Sequence, residues 1–273
     1  MKKLIFSLTS MALLLAMTAC GNDEPQDNIL YLPATQMVNH TYNTVEDELV
    51  GVNYGAIQVY VNVTRMTAQL AYVFGIDGDP VTLQLNDVPV TYDSNNSGYL
   101  IQTSAPATAG THTVNSLRLF IEVRDIQQNL RHYVKATVDG KYEVTGLMST
   151  LFFKDATSII TRESDAQVIT ETGSFYRFNF LSLTTENRTA TMGVSGINMT
   201  PFSVGASYAG LDVEPCAQGL HIYHNSGDPL NNSSGANNQL TSLDGIINMR
   251  DFSFSVDYTI DGLGTVKATG NMF

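Results

Sequence analysis

Apolar and polar residues alternate along most of the chain with a period of two. The alternation is clearest in segments 57–63, 81–86, 176–180 and 190–194. In the first of these, Ile57, Val59 and Val61 are separated by Gln58 and by Tyr60. A strand directs successive side chains to opposite faces of a sheet, so this period predicts strands with one face on a core and the other face wetter. β-Branched and aromatic residues dominate these segments, as expected of strands.

Turn-forming residues separate the alternating segments. Gly, Asn, Asp and Ser cluster between them, for example in segments 75–80 and 93–98, and such clusters indicate turns. No helical periodicity extends over twelve residues with capping residues at both ends. The pattern therefore predicts an all-β fold of antiparallel sandwiches or barrels, and not a parallel sheet with crossover helices.

The chain contains an internal repeat. Residues 114–126 align without a gap to residues 240–252, with identical Ser, Leu, Ile, Arg and Asp. The Asp-Gly pair at 139–140 corresponds to the pair at 261–262, and residues 30–35 resemble residues 152–157. The three matches keep their order, which indicates two similar β-barrel or β-sandwich domains in tandem, at 29–148 and 149–273. The last segment, 265–273, is expected to pair back and close or complete a sheet.

The Arg-Asp pairs in this repeat sit where the alternation changes phase. Before Arg124 the apolar positions are odd-numbered and after it they are even-numbered, and the same change occurs at Arg250. A β-bulge or a corner between strands produces such a change. We therefore expect Arg124, Asp125, Arg250 and Asp251 to be architectural; the alternative is a charged clamp for a ligand.

Composition and charge then narrow the possible partners. The chain has 273 residues, of which 43% are apolar and 15% charged, so a packed core is expected. There are 14 Lys and Arg against 26 Asp and Glu, a formal charge of −12, which offers no electrostatic attraction for nucleic acid. Two cysteines cannot build a disulfide scaffold or a Cys-rich metal site.

The amino terminus has the features of a lipoprotein signal. Lys2 and Lys3 precede an apolar stretch, 4–17, that is too short for a membrane span of about 20 residues. The run 17–20, Met-Thr-Ala-Cys, resembles a bacterial lipobox. We predict a signal peptide at 1–19, lipidation of Cys20 and a flexible tether at 20–28; the alternative is an ordinary secretory signal with an accidental cysteine. The lipid on Cys20 would be the membrane contact.

The sequence also resembles a known group of envelope proteins. Acidic residues, Asp23 and Glu24, follow the lipobox, and a late Asp-Gly turn precedes a closing strand in each half. In these features the chain resembles Bacteroidetes surface lipoproteins with tandem calycin-like (lipocalin-like) β-barrel domains. The resemblance implies a barrel or sandwich topology, an outer-membrane location, exposed at the surface or facing the periplasm, and binding more than catalysis. It transfers no site residue.

Motifs for metal binding or catalysis are weak throughout. His221 and His224, three residues apart in a strand, would point to opposite faces and could not share a metal ion. Segment 77–79 resembles the start of a calcium loop but lacks the later oxygen ligands, so a hairpin turn is expected. Segment 193–196 is not a nucleophile elbow. Cys216 is expected to be a small buried apolar residue. We therefore predict no catalytic residue, no metal site and no cofactor.

Two polar loops are the candidate contact surfaces. Residues 228–238 form a long polar loop, and residues 94–110 occupy the corresponding place in the first half. Loops of this length often bind partners, although they can equally be plain linkers between strands. Segment 46–48, which is acidic, reads as a solvated loop. Trp is absent, which slightly disfavours a carbohydrate-binding platform, although the 13 Tyr could substitute.

These observations support three hypotheses about function. The leading one is a lipid-anchored, non-enzymatic envelope protein that binds an unknown ligand or protein partner. The alternative is a structural or adhesive, fimbria-like subunit that uses sheet-edge contacts. The third is a glycan hydrolase, which needs two carboxylates at catalytic separation. A closed barrel or a concave pocket favours the first hypothesis, and an open sheet edge favours the second.

Overall fold

The computed structural model describes residues 28–123, 131–183, 188–199, 202–225, 227–233 and 238–272. All regular elements in these ranges are strands, and no helix that could cross a membrane occurs among them. The strands of the first half are β1 Ile29–Asn43, β2 Glu48–Asn62, β3 Thr67–Ile76, β4 Asp79–Asp93, β5 Gly98–Gln102, β6 Ala107–Ala109, β7 His112–Glu122, β8 His132–Val138 and β9 Tyr142–Met148. Those of the second half are β10 Thr150–Arg162, β11 Val168–Leu183, β12 Arg188–Met199, β13 Phe202–Cys216, β14 Gly219–His224, β15 Leu240–Asn248, β16 Ser253–Ile260 and β17 Gly264–Asn271.

The first nine strands form one antiparallel sheet that returns to itself. The order is β5-β4-β3-β2-β1-β9-β8-β7-β6, and β5 also pairs with β7. The first strand pairs with the last, from Met37 opposite Met148 to Asn43 opposite Tyr142. Strands β5 and β6 lie in succession along the same side of β7, so together they act as one interrupted strand. The ring therefore contains eight strand positions.

The last eight strands form a closed antiparallel barrel in simple sequence order, β10 to β17. Strand β17 pairs back onto β10, from Thr269 opposite Thr157 to Gly264 opposite Arg162. This confirms that the final segment closes a sheet. The all-β fold with two antiparallel units in tandem is confirmed as well, and one sheet gives way to the other at Ser149, between β9 and β10.

The sequence repeat falls on equivalent structural details. Residues 114–126 and 240–252 begin on the sixth strand position of each ring, β7 and β15. A register shift occurs between Val114 and Ser116 in β7 and between Leu240 and Ser242 in β15. The Asp-Gly pairs occupy the next hairpin turn in each ring, and both glycines, Gly140 and Gly262, have positive φ angles of 67° and 71°. Both copies thus share the same bulge and the same turn.

Side chains fill the interiors of both rings. In the first, Asn39 Oδ1 accepts a hydrogen bond from Tyr72 (2.6 Å), and Asn39 Nδ2 donates to the Val73 carbonyl (3.1 Å). Gly55 and Gly146 make this network possible, because a Cβ at either position would clash with Asn39. The second interior holds buried aromatic side chains that include Phe153, Phe178, Tyr176, Tyr208 and Tyr258. The buried hydroxyls of Tyr176 and Tyr258 share a hydrogen bond of 2.9 Å.

Two sequence interpretations need correction. The phase change at Arg250 and Asp251 is neither a bulge nor a corner: residues 249–252 are a hairpin turn between β15 and β16, with Phe252 at φ 64°. These four turn residues do not pair with a neighbouring strand, so the alternation of inward and outward side chains changes phase across them. Segment 94–110 is not a plain loop, because it contains β5 and β6. The other Arg-Asp pair, Arg124 and Asp125, lies outside the described residues.

The turn 249–252 docks the second barrel on the outer wall of the first. The Arg250 guanidinium pairs with Glu143 at 3.0 Å and lies over the Tyr42 ring, 5.0 Å from its centroid. The Lys135 ammonium donates to the Arg250 carbonyl at 2.5 Å. Nearby, the rings of Tyr133 and Phe252 lie 4.5 Å apart. Arg250 is therefore architectural and joins the two barrels, and Asp251 is architectural within the turn, where it accepts from the Ser253 N–H at 3.0 Å.

His40 is buried at this junction. It is 1% exposed, and its Nε2 donates to the Cys216 carbonyl at 3.0 Å. Burial lowers the pKa of His40 below its ordinary value of 6.5; Arg250 also lowers it, whereas the Cys216 bond and Glu143 oppose the change. The folded protein thus favours the neutral imidazole, while the unfolded chain takes up a proton near pH 6.5.

Acid should therefore weaken the junction. The stability contributed by neutral His40 is present above pH 6.5 and is lost as the pH falls from 6.5 toward the lower pKa of the folded state. We expect the free energy of unfolding to fall less over this window in His40→Gln, whose amide can still donate to Cys216. Denaturant unfolding between pH 7.5 and pH 5 measures this slope. Equal slopes in both proteins would contradict the assignment.

A candidate binding groove on the wall of the first barrel

A groove of about 460 Å³ lies on the outer wall of the first barrel, across β2, β3 and β4. This volume is within the range of small-molecule pockets, about 300–1,000 Å³. The groove extends along β3 from Thr67 to Ala71, a length of about 13 Å at the strand rise. Across the three strands it spans about 10 Å.

Strand alternation places polar side chains in this groove. The core side chains of β3, Leu70, Tyr72 and Phe74, point inward, so Gln69 and Ala71 point outward. The register sets Ala71 between Gln58 of β2 and Gln84 of β4. Because Ala71 is small, it leaves a depression between the two glutamines. In the next row, Tyr60 of β2 is opposite Gln69.

A β-bulge in β4 shapes one end of the groove. Ala68 pairs with Val88 and Leu70 pairs with Leu85, so β4 has one residue more than β3 between these pairs. Asp87 adopts a positive φ angle of 52° there, a conformation that Asp tolerates better than most residues. Bulges redirect side chains and occur often beside functional sites. Here the bulge brings Asn86 and Asp87 to the groove.

Two stacked tyrosines border the groove. The rings of Tyr31 and Tyr60 lie 4.6 Å apart with an interplanar angle of 22°, and 44% and 37% of the two residues are exposed. Gln58, largely buried beside them, donates from Nε2 to both hydroxyls, at 2.9 and 3.2 Å. The two rings are thus held in place while keeping exposed surface. A rigid aromatic surface with a polar tip is a common element of binding sites.

The charges that line the groove balance. Arg65 and Asp87 are its two charged residues among the lining side chains described. The turn carrying Arg65 is fixed because the Arg65 backbone N–H donates to Asn62 Oδ1 at 2.9 Å. The groove is therefore close to neutral, although the whole chain carries −12.

This lining is suited to binding rather than to bond cleavage. Asp87 is its single carboxylate, and amides, tyrosine and alanine make up most of the remainder. Hydrolysis of a glycosidic bond commonly requires two carboxylates. Within the described ranges, no cluster of three or more His, Cys, Asp or Glu side chains could hold a metal ion. The groove can hold a ligand by hydrogen bonds and ring contact.

The histidines and cysteine that the sequence singled out lie in the second barrel. His221 faces solvent and pairs with Asp244 at 2.5 Å. His224 is buried and donates to the Asp228 carbonyl at 2.9 Å. The two rings lie on opposite faces of β14, as the strand period predicts. Cys216 was expected to be buried, but it is partly exposed because it adjoins the turn between β13 and β14.

The other sequence candidates lie in turns, strands or outside the described chain. Segment 77–79 includes the β3–β4 hairpin turn, as predicted. Segment 46–48 is exposed and covers the end of the β1–β2 turn and the first residue of β2. Segment 193–196 lies within β12. In loop 228–238, Asn232 Oδ1 accepts from the Ser207 backbone at 3.0 Å, which fixes this part of the loop on β13. Cys20 and residues 234–237 lie outside the described residues.

Sequence reasoning did not find the groove. The available signal was the type of polar residue on the outward positions: β2, β3 and β4 carry Gln58, Gln69 and Gln84 where charged residues are common. This signal is weak in a linear sequence. It becomes specific only when the register places the amides side by side.

No protein-family model matches the chain, and no curated protein matches it.

The tyrosine pair leads to a test of the groove geometry. The neighbouring Tyr31 hydroxyl raises the pKa of Tyr60, whereas the hydrogen bond from Gln58 opposes this change. Tyr31→Phe removes the hydroxyl beside Tyr60, so the pKa of Tyr60 should fall toward 10.0. Titration of ¹³C-labelled tyrosines by NMR measures it. Tyr92→Phe, outside the groove, should leave it unchanged; an unchanged Tyr60 titration in Tyr31→Phe would refute the contact.

Proposed function

We propose that this protein is a lipid-anchored, non-catalytic binding protein of the outer membrane, exposed at the surface or facing the periplasm, which holds a ligand in the wall groove. The observation that carries the proposal is the groove itself. It combines a depression at Ala71, uncharged hydrogen-bonding side chains from three strands and an ordered tyrosine pair. Concave sites with a few fixed polar groups are the usual form of ligand pockets.

Because side chains fill both barrel interiors, we place the ligand on the outer wall. Eight-stranded barrels can hold a small ligand inside, as lipocalins do. In both rings of this protein, however, aromatic and aliphatic side chains occupy the interior. The proposal therefore takes only the fold and the location from the resemblance to calycin-like lipoproteins. It takes the binding site from the groove, because a fold does not specify where a ligand binds.

The two other hypotheses have less support. Ring closure pairs both edges of β1 and of β10 with neighbouring strands, so neither ring begins with a free edge for strand exchange. A glycan hydrolase would need a second carboxylate beside Asp87 in this lining. The acidic chain also disfavours a nucleic-acid partner.

The anchor is tested by removing its thiol. Cys20→Ala eliminates the predicted lipidation site, so the protein should move from the membrane fraction to the soluble fraction. Fractionation followed by immunoblotting measures the change. Cys216→Ala is the matched control and should stay with the membrane. If Cys20→Ala also stays with the membrane, the anchor lies elsewhere.

The groove is tested by filling it. The full protein, purified from the cell fraction in which it accumulates, is mixed with neutral oligosaccharides, short peptides or fatty acids, and its melting temperature is measured. A ligand at 100 times its dissociation constant should raise the melting temperature by about 5–10 °C. Ala71→Phe puts a ring into the groove and should abolish the increase.

Ala209→Phe is the matched control for this experiment. Ala209 is an exposed alanine on β13, at a comparable wall position of the second barrel, opposite Thr191. It should respond to the ligand as the wild type does. Binding in the groove is disproved if no class raises the melting temperature, or if Ala71→Phe responds like the wild type.

A further inference from the structure

We infer that the ligand of the wall groove is a neutral oligosaccharide, an inference that rests on the binding function proposed above. The amide side chains and the tyrosine pair match this class, whereas the charge and the position of the groove disfavour anionic ligands and peptides.

The amides match the chemistry of sugar hydroxyls. A Gln or Asn side chain offers two N–H donors and a carbonyl acceptor, and a hydroxyl both donates and accepts. Gln69, Gln84 and Asn86 are exposed, and their side-chain amides make no hydrogen bond to other described residues. They come from two neighbouring strands and converge on one groove. A polyhydroxylated ligand would satisfy them without an ion pair.

The tyrosine pair provides a surface for the apolar face of a sugar ring. The ring of a sugar carries C–H groups on its faces and hydroxyls at its rim, so it can pack on an aromatic ring while its rim bonds to amides. Tyr60 lines the groove, one row from Ala71 and opposite Gln69. Gln58 holds its hydroxyl, so the ring is ordered before a ligand arrives. The chain has no Trp, and Tyr supplies the platform in its place.

The charges of the groove and of the chain argue against an anionic ligand. One arginine and one aspartate line the groove: Arg65 is in the turn between β2 and β3, and Asp87 is in the bulge of β4 beside the same end of β3. An anionic ligand would meet Asp87 and the overall charge of −12. A neutral ligand bears no such cost.

The position of the groove argues against a peptide. Extended peptides commonly bind by adding a strand to a sheet edge, where main-chain groups are free. Strand β3, at the centre of the groove, pairs with β2 on one side and with β4 on the other. The main-chain groups of β3 are therefore hydrogen-bonded within the barrel. Along β3 the ligand therefore meets side chains, among which amides and the Tyr60 ring supply most of the polar and aromatic groups.

The test compares ligand classes on the same protein. Isothermal titration measures binding of neutral oligosaccharides of glucose, xylose, mannose or galactose, of oligogalacturonate as the acidic sugar, and of short neutral peptides. We expect a neutral oligosaccharide to bind and oligogalacturonate to bind more weakly. Gln84→Ala should weaken binding by up to about tenfold, the loss expected for one hydrogen bond, and Tyr60→Ala should weaken it further.

Gln102→Ala is the matched control, because Gln102 is an exposed glutamine on β5 of the same barrel, outside the groove. It should bind as the wild type does. Binding of peptides or acidic sugars alone, abolished by Ala71→Phe, would overturn the ligand class but leave groove binding standing. Absence of binding by these classes would overturn the ligand class, and groove binding falls with it only if the fatty acids tested above do not bind either. Sugar binding that Gln84→Ala and Tyr60→Ala leave unchanged would also overturn the inference.

Discussion

Antiparallel pairing of the first strand with the last is the constraint on which both halves of this protein depend. In the first ring β1 pairs with β9, and in the second β10 pairs with β17. These pairs join residues about 100 positions apart in the chain. The chain entropy lost in bringing them together is therefore offset only when the contacts of the whole ring form. Once closed, each ring satisfies its main-chain groups and leaves side chains as its means of recognition.

Closure also fixes how the two rings meet. Only Ser149 separates β9, the last strand of one ring, from β10, the first strand of the next. Its carbonyl accepts from the Phe180 N–H at 2.9 Å, which ties the junction to the second barrel. Around it, the turn 249–252 packs its Arg250 and Phe252 on the wall of the first barrel. The connection is thus a packed interface and not a hinge alone.

The two copies share topology but differ on their outer walls. In the first, the row Gln58, Ala71 and Gln84 forms the groove. In the second, a wall row contains Asn179, Thr191 and Ala209, without a comparable set of glutamines. The shared features are the inward positions, the bulges and the turns, which packing and backbone geometry constrain. The outward positions of a closed barrel carry no such constraint, so they are free to differ and to acquire a binding role.

The sequence by itself determined the strands, the turn at each Asp-Gly pair and the existence of two similar halves, because period-two alternation and turn chemistry are local properties. It assigned Gln58 and Gln84 to the outer face but could not show that they flank the same residue, Ala71. The phase change at Arg250 was also visible in the sequence, whereas its contact with Glu143 was not. Alternation tells which face a side chain occupies; only the register between strands, set by closure and by bulges such as the one at Asp87, decides which side chains stand together.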